Sequence, residues 1–190
     1  MPSASQQAVF FDRDGVLFEI VFRNGRLSVP YYWGEVKILP QVSEALLLLK
    51  ARGFLQIVLT NQPEIGRGTL SPQALDNIHR KLRIVLPTLD EIFVCPHVRD
   101  DQCHCKKPEP GLVREAIKKW NIDLSKSYII GDRWCDIELG KILGMTTILV
   151  ESPAGKEDVT IVHPDYFAAS LFTAAQYIVN DAKNINKSRK

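Results

Sequence analysis

The sequence contains no run of apolar residues long enough to cross a bilayer, and its longest candidates are broken by acids or by proline. No membrane partner is expected. An excess of one charge sign is missing too: 24 Lys and Arg stand against 22 Asp and Glu, for a formal net charge of +2. That balance gives no basic footprint of the kind nucleic-acid binding draws on, so nucleic acid is not expected as a partner. Residues Met1–Gln7 hold neither a basic region nor a continuous apolar one, so no secretory signal is read there and the cytoplasm is the expected compartment. There is no internal repeat. Cysteine is scarce, and three of the four, Cys95, Cys103 and Cys105, crowd into one segment with His97 and His104, leaving Cys135 apart. A disulfide framework would be spread more widely; the crowding favours metal ligation in a reducing compartment.

What the chain does have is a regular alternation of strand and helix signals. Its 190 residues suffice for one well-buried core and are short for two, and 45% hydrophobic with 24% charged residues is ordinary for a globular domain. Strands are predicted at Ala8–Phe11, Leu55–Leu59, Ile92–Val94, Tyr128–Ile130 and Thr146–Val150, with a short edge strand at Tyr166–Ala168. Between them, helices are predicted from Pro40 to near Gly53, from Ser71-Pro72 to Pro87, and at Leu112–Trp120, Asp136–Leu143 and Leu171–Ile178. One domain over 1–182 follows, an α/β three-layer sandwich with a mainly parallel sheet, and residues 183–190 form a basic flexible tail. The excursion Glu19–Gly34 is too long for a plain strand-to-helix connection. Asn24-Gly25 predicts a hairpin within it, between Ile20–Phe22 and Arg26–Val29, and the excursion is expected to cover something.

Three of these strands end in reactive polar residues. In a parallel sheet the carboxyl ends of neighbouring strands lie beside the ligand crevice, which would gather Asp12, Asp14, Thr60, Asn61 and Asp132 around one point. Carboxylates with hydroxyl and amide donors between them describe a magnesium–phosphate site and an enzyme acting on a phosphate ester. Asp12 can attack phosphorus to form an aspartyl-phosphate, while Asp14 protonates the leaving oxygen and later deprotonates water. Gly15 permits the tight turn that folds Asp14 over the site. Thr60 and the backbone near Asn61 can hold a phosphoryl oxygen. Asp132 is the better magnesium ligand of the fourth strand; Asp136 can bond a metal-bound water or cap the following helix, and Arg133 is a substrate-binding candidate. Of the two lysines before Pro108, Lys107 is read as neutralising the nucleophile and Lys106 as reaching a more distant substrate group. The bland alternatives are a solvated turn for the Asp12–Asp14 pair and helix capping for Asp132 and Asp136.

These segments, Asp12-Arg13-Asp14-Gly15, Thr60-Asn61-Gln62, Lys107-Pro108 and Gly131-Asp132, resemble the four motifs of the haloacid dehalogenase superfamily of phosphatases. The resemblance covers about 8–150. It implies a Rossmann-like sheet of order 5-4-1-2-3, a magnesium-dependent two-step mechanism, and a magnesium ligand set of Asp12, the carbonyl of Asp14, and Asp132.

Cys95, His97, Cys103 and Cys105 offer three thiolates and an imidazole, which suit tetrahedral zinc with no open position, hence a structural ion. His104 is the competing ligand and unliganded buried cysteines the bland alternative. Such a loop, 95–107, would pin Lys106 and Lys107 in place. A zinc loop just before lysine-proline resembles one branch of the superfamily, which lacks a large cap domain and includes phosphatases for heptose 1,7-bisphosphate and for histidinol phosphate. The resemblance implies a small phosphorylated sugar or related ester as substrate and a monomer. Arg67 and Lys106, as positive charges beside the reacting centre, favour the bisphosphate. A nucleic-acid 3′-phosphatase and a zinc-stabilised interaction module without catalysis are the remaining alternatives.

Overall fold

The computed structural model of the chain describes residues 5–154 and 163–187. Its main sheet holds β1 (Ala8–Phe11), β4 (Leu55–Asn61), β5 (Glu91–Cys95), β6 (Tyr128–Gly131), β7 (Thr146–Val150) and β8 (Tyr166–Ala168). All neighbours are parallel, in the order β5-β4-β1-β6-β7-β8. Counting only main-sheet strands, this is the expected 5-4-1-2-3 arrangement with a sixth strand added outside the fifth.

β1 sits at the centre with both faces covered, which is why all four of its residues can be apolar. Val9 and Phe11 face one core, shared with α1 (Val42–Lys50), α6 (Leu171–Lys187) and Leu82 of α3 (Pro72–Val85). Ala8 and Phe10 face the other, shared with α4 (Gly111–Lys119) and Leu139 of α5 (Trp134–Ile142). Both phenylalanines are fully buried, each a contribution of about 1.5–3 kcal/mol.

Local signals explain most element ends. Ser71 caps α3, its Oγ accepting from the Ala74 amide at 3.2 Å with Pro72 in the first turn. The hairpin forms as β2 (Val21–Arg23) and β3 (Arg26–Ser28), with Asn24 and Gly25 both at positive φ as a tight two-residue turn demands. A one-turn α-helix, α2 (Pro63–Gly66), follows β4.

Some boundaries differ from expectation. α1 starts at Val42, not at Pro40, because Gln41 takes a left-handed conformation before it. α5 starts at Trp134, ahead of Asp136, whose carboxylate reaches back to the Arg133 amide at 3.3 Å and caps the turn. β4 runs on through Thr60 and Asn61, and β5 through Cys95, because Asn61 and Cys95 are register partners. α6 continues past Ile178 to Lys187, into the segment expected to be a flexible tail; residues 188–190 of that tail lie outside the described residues. No described helix is long and apolar enough to cross a membrane.

α5 lies tightly on β6 and β7 at Gly140. A Cβ there would sit 2.4 Å from Cγ2 of both Ile129 and Thr147. At an exposed helix position glycine-to-alanine gains about 1 kcal/mol. Gly140→Ala should instead destabilise by about 1–3 kcal/mol, read as a lowered urea midpoint. An unchanged or raised midpoint would show that the helix can move off the sheet freely.

Candidate active site

The carboxyl ends of β1, β4 and β6 open onto a cavity of about 330 Å³. Asp12, Asp14, Asn61, Lys107, Asp132 and Asp136 line it. Its mouth is built from Ile20 and Leu27–Val29 of the hairpin excursion, Pro63 and Glu64 of α2, Lys106 of the cysteine loop, and Arg133–Cys135 at the start of α5. The excursion expected to cover something does so, as a small hairpin.

At the floor, Lys107 donates from Nζ to Asp12 Oδ1, at 2.6 Å, and to the Leu59 carbonyl, also at 2.6 Å, and is paired with Asp136 Oδ1 at the same distance. Burial alone would disfavour the ammonium, but attraction to Asp12 and Asp136 outweighs it and raises the Lys107 pKa. It stays charged. Its backbone is held as firmly: its N–H donates to Asn61 Oδ1 at 3.0 Å, and Asn61 Nδ2 donates to its carbonyl at 3.2 Å.

Asp12, Asp132 and Asp136 each offer an oxygen within 4.8 Å of the others. Burial, followed by repulsion from the neighbouring carboxylates, pushes Asp132 well above the usual carboxylate range. Burial and the Asp12 charge raise Asp136 likewise, against the pull of Lys107. Asp132 Oδ2 accepts from Ser152 Oγ at 2.5 Å, while its buried Oδ1 has no hydrogen-bonding partner among the described residues. Like charges crowded around an unsatisfied oxygen fit a hard divalent cation with oxygen ligands. Gly15 makes room for this arrangement: it sits at φ +84°, and a Cβ would lie 2.3 Å from Asp132 Oδ2.

Asp14 is gripped from two sides. Arg13 lays one edge of its guanidinium on it, NH2 at 3.1 and 3.0 Å from the two oxygens and Nε at 3.2 Å. Gln62 Nε2 donates to Asp14 Oδ2 and to Thr60 Oγ1, each at 2.8 Å. Burial raises the Asp14 pKa; Arg13 opposes this and the Asp12 charge adds to it.

Cys95, His97, Cys103 and Cys105 also converge. Their sulfur separations are 3.1 Å for Cys95–Cys105, 3.6 Å for Cys95–Cys103 and 3.7 Å for Cys103–Cys105. His97 Nδ1 lies 3.2 Å from Cys105 Sγ and 3.6 Å from Cys95 Sγ. Zinc about 2.3 Å from each sulfur implies sulfur–sulfur edges of about 3.8 Å. The Cys95–Cys103 and Cys103–Cys105 edges come close to that and the Cys95–Cys105 edge is shorter, so the group suits such an ion once that pair opens slightly. His104 is exposed and outside the group.

Other expectations need correction. Arg67 does not line the cavity; its side chain is 56% exposed and its guanidinium is engaged by Glu64 Oε1 at 3.1 Å. Asn61 lines the cavity, but its side-chain amide is engaged by the Lys107 backbone through both its oxygen and its nitrogen. Thr60 is fully buried and lies beneath the cavity wall, accepting from Gln62. Lys106 and Arg133 do line the cavity, with Lys106 Nζ donating to the His97 carbonyl at 3.2 Å.

Several residues escaped the sequence reading. Arg13 and Gln62 lay inside quoted motifs without a role. Ser152 follows the fifth strand, whose end could have been searched as the other three were. Cys135, set apart in sequence, lines the cavity. Nothing in the sequence pointed to His79, which contacts Arg13 from α3.

The HAD-hydrolase-like family pattern matches residues 104–174. The chain is 32% identical over 153 residues to D-glycero-beta-D-manno-heptose-1,7-bisphosphate 7-phosphatase of Haemophilus ducreyi, covering 75% of this chain and 81% of that protein. Against the histidine biosynthesis bifunctional protein HisB of Baumannia cicadellinicola it is 30% identical over 148 residues, 76% of this chain but 41% of the relative. It thus spans about two-fifths of that bifunctional protein. Among solved structures, D,D-heptose 1,7-bisphosphate phosphatase of B. bronchiseptica, complexed with magnesium and phosphate, superposes with a TM-score of 0.82 at 25% identity, covering 93% of this chain and 99% of that one. With relatives matched across most of both chains, and with the strand order and strand-end acids described above, the chain belongs to the haloacid dehalogenase-like hydrolase family.

Proposed function

We propose that the chain is a magnesium-dependent phosphomonoester hydrolase working through an aspartyl-phosphate, and that it removes the 7-phosphate of D-glycero-D-manno-heptose 1,7-bisphosphate. The observation that carries the phosphatase reading is the meeting of Asp12, Asp132, Asp136 and Lys107 at one cavity floor from separate strand ends and loops. Asp12 attacks phosphorus while Asp14 gives its proton to the leaving sugar oxygen. Water then attacks the phosphorus on Asp12, losing a proton to Asp14, and inorganic phosphate leaves. Lys107 neutralises Asp12 and the transferring phosphoryl oxygens throughout. Asp12, Asp132 and the Asp14 carbonyl would hold magnesium, with Asp136 beside them; the ion would supply the positive charge that lets an anionic nucleophile approach an anionic ester.

The substrate reading has two supports. Lys106, with Arg133, lines the cavity outside the acid cluster and suits a second phosphate, whereas Arg67 does not line it. The heptose phosphatases named above are also matched over most of their length. Histidinol phosphate is the second reading, favoured by the carboxylate of Glu64 on the same wall, which would suit a cationic amine. With magnesium, kcat/KM should be higher for the heptose bisphosphate, with a single phosphate released per molecule. Faster turnover of histidinol phosphate would reverse the assignment.

Asp12→Asn should lower kcat on the order of a thousandfold or more at unchanged fold, because the nucleophile is lost. Turnover near wild type would remove Asp12 from that role. The cysteine loop is proposed to hold structural zinc. Cys103→Ser should then reduce bound zinc from about one ion per chain and lower the thermal midpoint, with activity falling as a consequence. Metal content measured by atomic absorption decides it, and an unaltered content excludes Cys103 as a ligand.

A further inference from the structure

Arg13 is fully buried, and its guanidinium is pinned at both ends. One edge carries Asp14, as described above, and the remaining nitrogen, NH1, lies 2.7 Å from Nε2 of His79. The ring of Phe18 sits 5.1 Å below its central carbon. A guanidinium can only donate, so Nε2 of His79 must accept, which requires a neutral imidazole with its proton on Nδ1. The surroundings favour that state: burial first, then the charges of Arg13 and Arg83, lower the His79 pKa to about 3.

An acid–base group must meet both the leaving oxygen and the incoming water, and small misplacements are costly. The side chain of Asp14 emerges from the turn just past β1. Arg13 and Gln62 together hold it, and the far nitrogen of Arg13 is held in turn by His79 on α3. We propose that His79 is a positioning residue that, through Arg13, holds the Asp14 carboxyl where it exchanges its proton with the leaving and attacking oxygens. The inference rests on the phosphatase reading. In the first step the Asp14 proton passes to the leaving oxygen as the bond from Asp12 to phosphorus forms and the ester bond breaks. In the second, the water oxygen bonds to phosphorus and a proton of that water returns to Asp14 as the bond between Asp12 and phosphorus breaks.

The test compares two esters, para-nitrophenyl phosphate and whichever sugar phosphate wild type hydrolyses fastest. The aryl oxygen leaves as a stable anion, whereas the sugar oxygen needs a proton. His79→Leu removes the acceptor, with His79→Ala in its place should leucine prevent folding; His79→Gln keeps an acceptor. The acceptor-free variant should lose about tenfold to a hundredfold in kcat/KM on the sugar ester and much less on the aryl ester. His79→Gln should recover most of the difference. An equal loss on both esters, or no loss on either, would overturn the role of His79 while leaving the phosphatase reading intact. Failure of wild type to hydrolyse any ester would overturn the phosphatase reading and the inference with it.

Discussion

One buried ammonium organises the site. Lys107 lies between Asp12 and Asp136, with the Leu59 carbonyl as a further acceptor, so a single cation joins the ends of β1 and β4 and the first turn of α5. Taking charges out of water is expensive unless partners and hydrogen bonds replace the solvent. Here they do, and the arrangement is self-consistent: the acids keep the lysine charged, and the lysine tempers the repulsion among the acids. Asp132 has one oxygen lacking a hydrogen-bonding partner among the described residues.

The sheet supplies the rigidity that such a cluster requires. β1 is enclosed by a core on each side, so Asp12 projects from the most buried strand, at the sheet's centre. Lys106 and Lys107 sit on an irregular segment between β5 and α4. That segment is tied at its origin, where Cys95 is the register partner of Asn61 and the Gln62 amide donates to the Cys95 carbonyl at 2.7 Å. The four converging cysteine and histidine side chains then gather the rest of the loop.

How much of this the sequence disclosed follows from the kind of signal each residue leaves. Strand ends are legible because buried parallel strands are nearly all apolar and the first polar residues mark where they stop. That rule located Asp12, Asn61 and Asp132 beside one cavity, and spacing alone grouped Cys95, His97, Cys103 and Cys105. Charge, by contrast, says nothing about direction. Arg67 looked suited to bind phosphate, but it turns outward to Glu64, three residues earlier on the one-turn helix. His79 was invisible for the opposite reason, since its partner Arg13 is 66 residues away and a lone histidine on a helix carries no pattern. The start of α5 shifted because a side chain replaced a backbone partner, as Asp136 does for Arg133.

Asn61 has a wider consequence. By accepting from the N–H of Lys107 and donating to its carbonyl, this side-chain amide imitates the edge of a neighbouring strand. The lysine thereby joins the sheet as a one-residue rung, although it belongs to an irregular segment. Its placement is then referenced to the stiffest part of the molecule, so jitter elsewhere in the loop is filtered out before it reaches the reacting groups.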